Sequence, residues 1–347
     1  MAKKEKQPTT PKQKETPFRI LSIDGGGIRG ILPAMILAEL ERNAKPISER
    51  FDMIAGTSTG GILACILLAP SNENPTKPQY CANDALELYI ENGDDIFEVP
   101  LWKKFRSLGG MIDEKYPSTG IETILARYLG DLRLSELLKP SLITAYDIAR
   151  RETKFFTSHD ALAKRRDFYL RDVARATSAA PTYFEVAQIF TVPNGKIPYP
   201  LIDGGMFANN PAMCAYAEVM SKYHNQNLPA DSPFAKSKYG IQVLSLGTGE
   251  KKGHNYPYAD AKNWGAAKWI IPALTIMGSA SGEVAHYQLA QILEEGKNYF
   301  RIQIPLELAD ADMDNATEPN IINLQSDAQS WISKNTKLLN QINALFS

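Results

Sequence analysis

The stretch FDMIAGTSTGGILACILLA, from Phe51 to Ala69, decides the fold of this chain. Phe51 to Ala55 is short and apolar, as a buried strand is, and Gly56 to Gly61 contains only small residues that favour a tight turn. Ile62 to Ala69 is apolar like the start of a buried helix. A strand, a turn and a helix in direct succession predict one unit of a parallel sheet.

A similar unit precedes it. Phe18 to Asp24 is typical of a buried strand ending in a glycine cluster, and Ile31 to Ala44 has helical apolar spacing with Pro33 in its first turn. Further strands are expected at Ser141–Ile148, Pro200–Asp203, Ile241–Leu246 and Tyr299–Ile304. These elements predict an α/β fold, a three-layer α/β/α sandwich with a mostly parallel central sheet.

Composition limits the possible partners. The 347 residues include 38 Lys and Arg against 39 Asp and Glu, a formal net charge of -1, so no overall positive field would attract a nucleic acid polymer. No run approaches the roughly 18 apolar residues that span a bilayer. The three cysteines lack metal-ligand spacing and suit a reducing cytoplasm, which predicts a cytoplasmic protein without a metal centre.

The chain is expected to form one domain with a tail. Residues 1–17 hold five Lys, two Glu and no apolar stretch, which predicts a disordered basic tail. Residues 18–249 form the core, including a helical insertion at about 70–135 that could cover a site as a lid. Residues 250–347 should complete the same domain, ending in a helix from Asp327 to Phe346.

The turn after the second strand contains a candidate nucleophile. Gly56-Thr57-Ser58-Thr59-Gly60 fits the pattern GxSxG, in which a serine on a strained strand-to-helix turn projects its hydroxyl outward. The helix that follows would favour negative charge near Ser58. The alternative is a turn of small residues without catalytic function.

The glycine cluster after the first strand has two interpretations. Gly25, Gly27 and Gly30 satisfy GxGxxG, which can bind a dinucleotide, but no acidic residue follows at the end of the second strand. The amides of Gly25, Gly26 and Gly27 could instead form an oxyanion hole. Arg29 could hold this loop or contact a lipid phosphate.

A reactive serine also needs a base. The four histidines, His159, His224, His254 and His286, lie in polar loop-like or helical surroundings. Asp203 follows an apolar strand and precedes Gly204-Gly205, so its carboxylate would emerge at a strand end, where open α/β sheets build their sites. It could also only cap a turn. As a base at neutral pH it would need burial that raises its pKa.

These segments resemble the patatin-like phospholipase family. The resemblance runs from about Phe18 to Gly249 through five ordered blocks: DGGGIRG (Asp24–Gly30), GTSTGG (Gly56–Gly61), ATSAAPTYF (Ala176–Phe184), DGGMFANNP (Asp203–Pro211) and SLGTG (Ser245–Gly249). Gly205 stands where many relatives have Ala.

The resemblance implies a lipid acyl hydrolase of phospholipase A type. By position, Ser58 is the nucleophile, Asp203 the base, and Gly25, Gly26 and Gly27 the oxyanion loop. Arg29, Gly30, Gly56, Gly60, Gly204 and Gly205 support the site. An acyl-serine intermediate would form, without metal or cofactor, on membrane phospholipid at the inner leaflet.

The resemblance also suggests regulation. Some bacterial members are antiphage effectors activated by cyclic dinucleotides, and a short chain without a fused domain would fit that role. A homo-oligomer is a further expectation. Two stretches could contact lipid: Trp264 to Met277, although such a stretch is more often core or an oligomer contact, and Trp102 to Arg106. Two rival functions are a non-catalytic lipid-binding or signalling module and a dinucleotide-binding oxidoreductase.

Overall fold

The computed structural model describes residues 16–97, 117–193, 195–224, 229, 232–251, 253 and 256–347. The expected basic tail, up to residue 15, and the aromatic and basic stretch Val99–Gly110 lie outside the described residues.

Eight strands form one sheet. They are β1 (Phe18–Ile23), β2 (Met53–Thr57), β3 (Ser141–Asp147), β4 (Glu152–Thr157), β5 (Ala187–Ile189), β6 (Tyr199–Asp203), β7 (Ile241–Leu246) and β8 (Tyr299–Ile302). Hydrogen-bonded neighbours follow the path β5-β6-β3-β2-β1-β7-β8, and β4 also pairs with β3. The pairs among β3, β2, β1, β7 and β8 are parallel, whereas β4, β5 and β6 join antiparallel. The expected mostly parallel sheet is confirmed.

The helices of the described residues are α1 (Ile31–Glu41), α2 (Ile47–Arg50), α3 (Thr59–Leu67), α4 (Ala82–Phe97), α5 (Thr119–Leu129), α6 (Leu170–Thr177), α7 (Gly205–Ala208), α8 (Ala212–Tyr223), α9 (Tyr258–Ala261), α10 (Ala266–Ile292), α11 (Glu318–Lys334) and α12 (Thr336–Leu345). Short 3₁₀ helices, including Gly27–Gly30, connect some of them.

The core has two layers, because successive side chains of the central strands lie on opposite faces of the sheet. In β1, Leu21 and Ile23 join the larger apolar cluster, whereas Phe18 and Ile20 join the smaller one. Successive side chains of a strand point to opposite faces, so the two clusters lie on opposite sides of the sheet. The larger cluster contains residues of α1, α3, α4 and α11, and the smaller one contains residues of α8 and α10. The expected three-layer sandwich is confirmed.

Several expected boundaries differ from the structure. The β2 strand extends to Thr57, so α3 begins immediately after Ser58. The single expected helix Asp327–Phe346 is wrong: α11 begins at Glu318 and ends before Asn335, and α12 follows. The Asn335 side chain donates to the Trp331 carbonyl at 2.8 Å, which satisfies a group at the end of α11.

The insertion at 70–135 contributes helices to the core. In α4, Leu88 and Tyr89 are buried, and the Tyr89 hydroxyl lies 2.6 Å from that of Thr59 in α3. In α5, Ile121 and Leu125 are buried in the same cluster. These helices pack as structural elements, and the expected lid stays a prediction for the segment between them.

Within the described residues, no helix is both long enough and apolar enough to cross a membrane.

Candidate active site

Ser58 occupies a strained turn between β2 and α3. Its φ of 55° and ψ of -124° are rare for a residue with a side chain, and such strain costs of order 1–3 kcal/mol. Close backbone approach surrounds it: a Cβ on Gly56 would lie 2.1 Å from the Gly60 carbonyl oxygen, and one on Gly60 would lie 2.1 Å from that of Ile23. Gly56 and Gly60 therefore allow the sharp turn that GxSxG predicts.

The register of β3 brings Asp203 to Ser58. One edge of β3 is occupied by β4 from Leu142 to Asp147, so β2 and β6 share the other edge. Thr57, the last residue of β2, pairs with Thr144, while Asp203, the last residue of β6, pairs with Ala145. Because β2 and β6 run in opposite directions, their carboxyl ends meet head-on beside β3.

Hydroxyl groups hold this junction together. The Thr57 hydroxyl donates to the Ala208 carbonyl at 2.6 Å, so the Thr144 hydroxyl, 2.7 Å away, is the donor to Thr57. These two successive hydrogen bonds, from Thr144 to Thr57 and from Thr57 to Ala208, link β3 and β2 to α7, which begins two residues after Asp203. A Cβ on Gly204 would lie 2.0 Å from the Thr144 hydroxyl oxygen, so this position has room only for glycine.

Asp203 is buried beside Ser58 and accepts a hydrogen bond from the backbone. Its side chain is 6% exposed, and burial raises its pKa to about 6, against the opposing effect of hydrogen bonds from the Ser58 side chain and the Gly205 backbone amide. The Gly205 amide donates to Oδ1 at 2.7 Å. A carboxylate with this pKa is mostly ionised at neutral pH and is a stronger base than a free Asp.

Of the three loop glycines, two have free amides. The Gly25 amide donates to the Asn209 carbonyl at 3.1 Å, so that donor is already engaged. Within the part of the chain that the structure describes, no acceptor lies against the amides of Gly26 and Gly27. A Cβ on Gly25 would lie 3.0 Å from that of Ser58, so the loop packs directly on the serine.

Gly27 has a backbone conformation and surroundings that only glycine can adopt. Its φ is 58°, and a Cβ there would lie 2.1 Å from the Met313 carbonyl oxygen, which accepts a hydrogen bond from the Ile28 amide at 2.9 Å. Gly30 touches α3, because a Cβ there would lie 2.2 Å from the Thr59 hydroxyl oxygen.

Arg29 acts within the loop. Its Nε donates to the Gly26 carbonyl at 3.4 Å, which supports the first of its two expected roles. Burial lowers its pKa to about 10, partly offset by the nearby Tyr183 and Asp312.

Gly205 has space beside it: a Cβ there would lie 3.1 Å from the Asn209 Oδ1 and 3.2 Å from the Asp203 Oδ1. An alanine in relatives would need only a small shift.

Three functional contacts were not predicted from the sequence. The Ser58 amide donates to the Thr177 hydroxyl at 2.9 Å, and the Asn209 side chain donates to the Gly25 carbonyl at 3.2 Å. Both residues lie in motifs already singled out, which was the available signal. The third is an ion pair between Asp24 and Arg301 of β8, for which the sequence carries no local signal.

Two of the described histidines, His159 and His286, have hydrogen-bond partners away from Ser58. His159 Nε2 lies 2.9 Å from Glu218, and His286 Nδ1 lies 3.0 Å from the Tyr299 hydroxyl. His159, Asp160 and Glu218 also lie close enough together to hold a metal ion. Lys222 already contacts both carboxylates, at 2.6 Å and 3.6 Å, so a cation is present there without a metal.

Comparison with known proteins agrees with this architecture. A model of the patatin-like phospholipase family matches residues 21–216. Patatin-like protein 2 of Oryza sativa subsp. indica is 34% identical, with 91% of this chain and 84% of that protein covered. Patatin-like protein 2 of Arabidopsis thaliana is 33% identical, with 91% and 83% covered. Probable inactive patatin-3-Kuras 1 of Solanum tuberosum is 31% identical, with 82% and 78% covered.

The chain belongs to the patatin-like phospholipase family, a class of lipid acyl hydrolases. The similarity extends beyond the five motifs, because the rice and Arabidopsis proteins align over nine-tenths of the chain. It includes the C-terminal region that supplies Arg301. Membership argues against the dinucleotide-binding oxidoreductase.

Proposed function

We propose that the protein cleaves fatty-acyl esters of membrane phospholipids through an acyl-serine intermediate, with Ser58 as nucleophile and Asp203 as base. The observation that carries the proposal is the strained turn that places the Ser58 side chain beside the buried carboxylate of Asp203, whose pKa is raised to about 6. This pairing supplies a nucleophile and an ionised base at neutral pH.

The reaction has two balanced steps. Ser58 Oγ attacks the ester carbonyl, its proton passes to Asp203, and the tetrahedral oxyanion accepts hydrogen bonds from the free amides of Gly26 and Gly27. Collapse breaks the ester C–O bond, and Asp203 returns the proton to the leaving lysophospholipid. Water then loses a proton to Asp203 and attacks the acyl-serine. When this second tetrahedral intermediate collapses, the bond from the acyl carbon to Ser58 Oγ breaks, Asp203 returns the proton to Ser58 Oγ, and the fatty acid is released.

The glycine loop is held ready for this role. Asn209 binds Gly25 through both its carbonyl and its side chain, and the Thr248 hydroxyl donates to the Gly25 carbonyl at 2.8 Å. Donors fixed before the reaction stabilise developing charge without reorganising. We assign the oxyanion hole mainly to Gly26 and Gly27, with Gly25 in a supporting position.

The test is lipid mass spectrometry of phospholipid vesicles after incubation with wild type, Ser58→Ala and Asp203→Asn. We expect release of fatty acid by wild type only, and labelling of wild type but not Ser58→Ala by a fluorophosphonate probe. Ser326→Ala and Asp131→Asn, at exposed positions, are the matched controls and should behave as wild type. Full activity of Asp203→Asn would exclude the Ser-Asp dyad.

Inactivity of the wild type under the same assay, with intact vesicle binding, would favour the non-catalytic lipid-binding module.

Three finer proposals rest on the family resemblance. They are a bacterial-type role in antiphage defence, activation by a cyclic dinucleotide, and action at the cytoplasmic face of the membrane. Adding a cyclic dinucleotide to the vesicle assay tests the activation, and an unchanged rate would contradict it.

A further inference from the structure

The α10 helix has two apolar faces, of which one is buried. Ala285 and Leu289 are buried against the rest of the protein, and Gly278 and Gly282 pack on Asn209 and Asn210. Helical spacing puts Trp269, Ile270, Ile276, Met277, Val284 and Tyr287 on the other side, and all six are exposed. We call these six residues the α10 apolar face.

Such a face is unusual on a protein surface. Trp269 is 40% exposed and Met277 is 44% exposed, and the six residues form a stripe along most of the helix. A surface helix normally turns polar residues outward, and contiguous exposed apolar patches mark binding sites for proteins or membranes.

The N-terminal end of the face carries aromatic and basic groups together. Trp264 stacks edge-on against both Tyr256 and Trp269, with ring centroids 5.3 and 5.1 Å apart. Lys262 and Lys268 are exposed beside them. Tryptophan, tyrosine and lysine are the residues that sit at the boundary between lipid headgroups and acyl chains.

Charge favours an anionic occupant. From Lys251 to Tyr287, the end of the face, the sequence contains four lysines and two acidic residues, Asp260 and Glu283, although the whole chain has a net charge of -1. A two-fold interface centred on this positive stretch would bring it close to its own counterpart in the second copy. An anionic lipid surface instead complements it.

The opposite, buried side of the same helix contacts the proposed active site. The Asn209 amide donates to the Ser281 hydroxyl at 3.2 Å, and Asn209 in turn binds Gly25 of the oxyanion loop. A membrane resting on α10 would therefore lie against the helix that contacts the wall of the catalytic site.

We propose that the α10 apolar face docks the protein on anionic phospholipid bilayers and delivers the catalytic site to its substrate. This inference rests on the proposed function, because it names the surface through which that site reaches membrane lipid. The expected interaction is insertion of the apolar side chains at the interface, with lysines on the headgroups.

The test is sedimentation with phosphatidylcholine vesicles, with and without phosphatidylglycerol, in a Ser58→Ala background. In that background binding does not depend on hydrolysis. We expect the double variant Ile270→Glu/Met277→Glu to lose about tenfold or more in affinity for vesicles with phosphatidylglycerol. The control Ile322→Glu, at an exposed apolar position on α11, should bind normally. Equal binding by all forms would overturn the proposal.

Two further readouts separate the possibilities. In chains that retain Ser58, hydrolysis of a soluble short-chain ester should be the same with and without Ile270→Glu/Met277→Glu, whereas hydrolysis of vesicle phospholipid should fall in the double variant. If the wild type does not hydrolyse the soluble ester, the proposed function is contradicted. The vesicle-binding measurement does not depend on hydrolysis and would still test the docking surface. If the double variant instead turns a dimer into a monomer by light scattering while vesicle binding is unchanged, the face joins two copies and the docking proposal fails.

Discussion

Arg301 binds Asp24 through two hydrogen bonds, of 3.0 Å from Nη1 to Oδ1 and 2.6 Å from Nη2 to Oδ2. The pair is buried, and Arg301 also donates to the Ser245 hydroxyl at 2.9 Å. It fastens the start of the glycine loop to β8, a strand beyond the region that the family model matches. The proposed oxyanion hole therefore depends on the C-terminal part of the chain.

Replacing Arg301 with Met should destabilise the protein by about 3–5 kcal/mol, because Asp24 would be buried without a partner. Urea unfolding measures the loss, and the double variant Asp24→Asn/Arg301→Met should recover much of it. Lys297→Met, at an exposed position, is the control. Equal stability of the single and double variants would show that the buried charge is not the cause.

Thr177 should maintain the serine turn. Thr177→Val keeps the shape but removes the acceptor of the Ser58 amide, which should lower the free energy of unfolding by about 1–3 kcal/mol. Turnover of a soluble ester should fall as well, because the strained turn loses its support. Thr177→Ser retains the hydroxyl and should stay close to wild type in both assays. Similar behaviour of the two variants would remove Thr177 from this role.

The activity should depend on the ionisation of Asp203. Since its pKa is raised to about 6, kcat/KM should be level above pH 7 and fall with decreasing pH, to about one tenth of the plateau at pH 5. The rate of fluorophosphonate labelling of Ser58 should follow the same curve. A profile that stays level down to pH 5 would contradict a base with this pKa.

Lys154 should make stability depend on pH at the alkaline end. It is 7% exposed, its ammonium lies 4.6 Å from the centre of the Tyr199 ring, and burial lowers its pKa from 10.5 to about 8. The nearby Arg166 and Arg150 lower it further, while Asp147 and Glu152 act in the opposite direction.

Between about pH 8 and pH 10.5, Lys154 is therefore mostly protonated in the unfolded chain but mostly neutral in the folded chain. The free energy of unfolding rises with pH through this window, because burying Lys154 then no longer requires burying a charge. Lys154→Met should be more stable than wild type at pH 7, by up to about 3 kcal/mol, with a difference that shrinks towards pH 10. Thermal unfolding across this range measures it, with the exposed Lys334→Met as control. A difference that is independent of pH would contradict the explanation.

The sequence predicted the elements whose apolar pattern and bounding turn residues are adjacent in the chain. Apolar runs bounded by turn residues located six of the eight strands, and β7 has the expected bounds. The strands β4 and β5 were missed because half of the β4 residues are exposed and β5 has three residues, so neither has a clear apolar pattern. Asn335 interrupts an apolar periodicity that by itself favours one continuous helix.

The candidate site divides in the same way. Ser58 and the glycine loop lie in compact motifs, so their neighbourhood could be predicted from spacing alone. The engagement of the Gly25 amide by Asn209 could not, because 184 residues separate the two partners. The Asp24 and Arg301 pair spans 277 residues, and only the completed sheet brings them together.

The head-on meeting of β2 and β6 has a consequence for how the protein matures. Ser58 and Asp203 become neighbours only after β3 has acquired both partners along the same edge, so a chain still short of that pairing has a serine without a base. Reactivity would then appear only once both pairings have formed, and chains short of them would not attack the membranes around them. A covalent serine probe would count molecules that have completed the sheet.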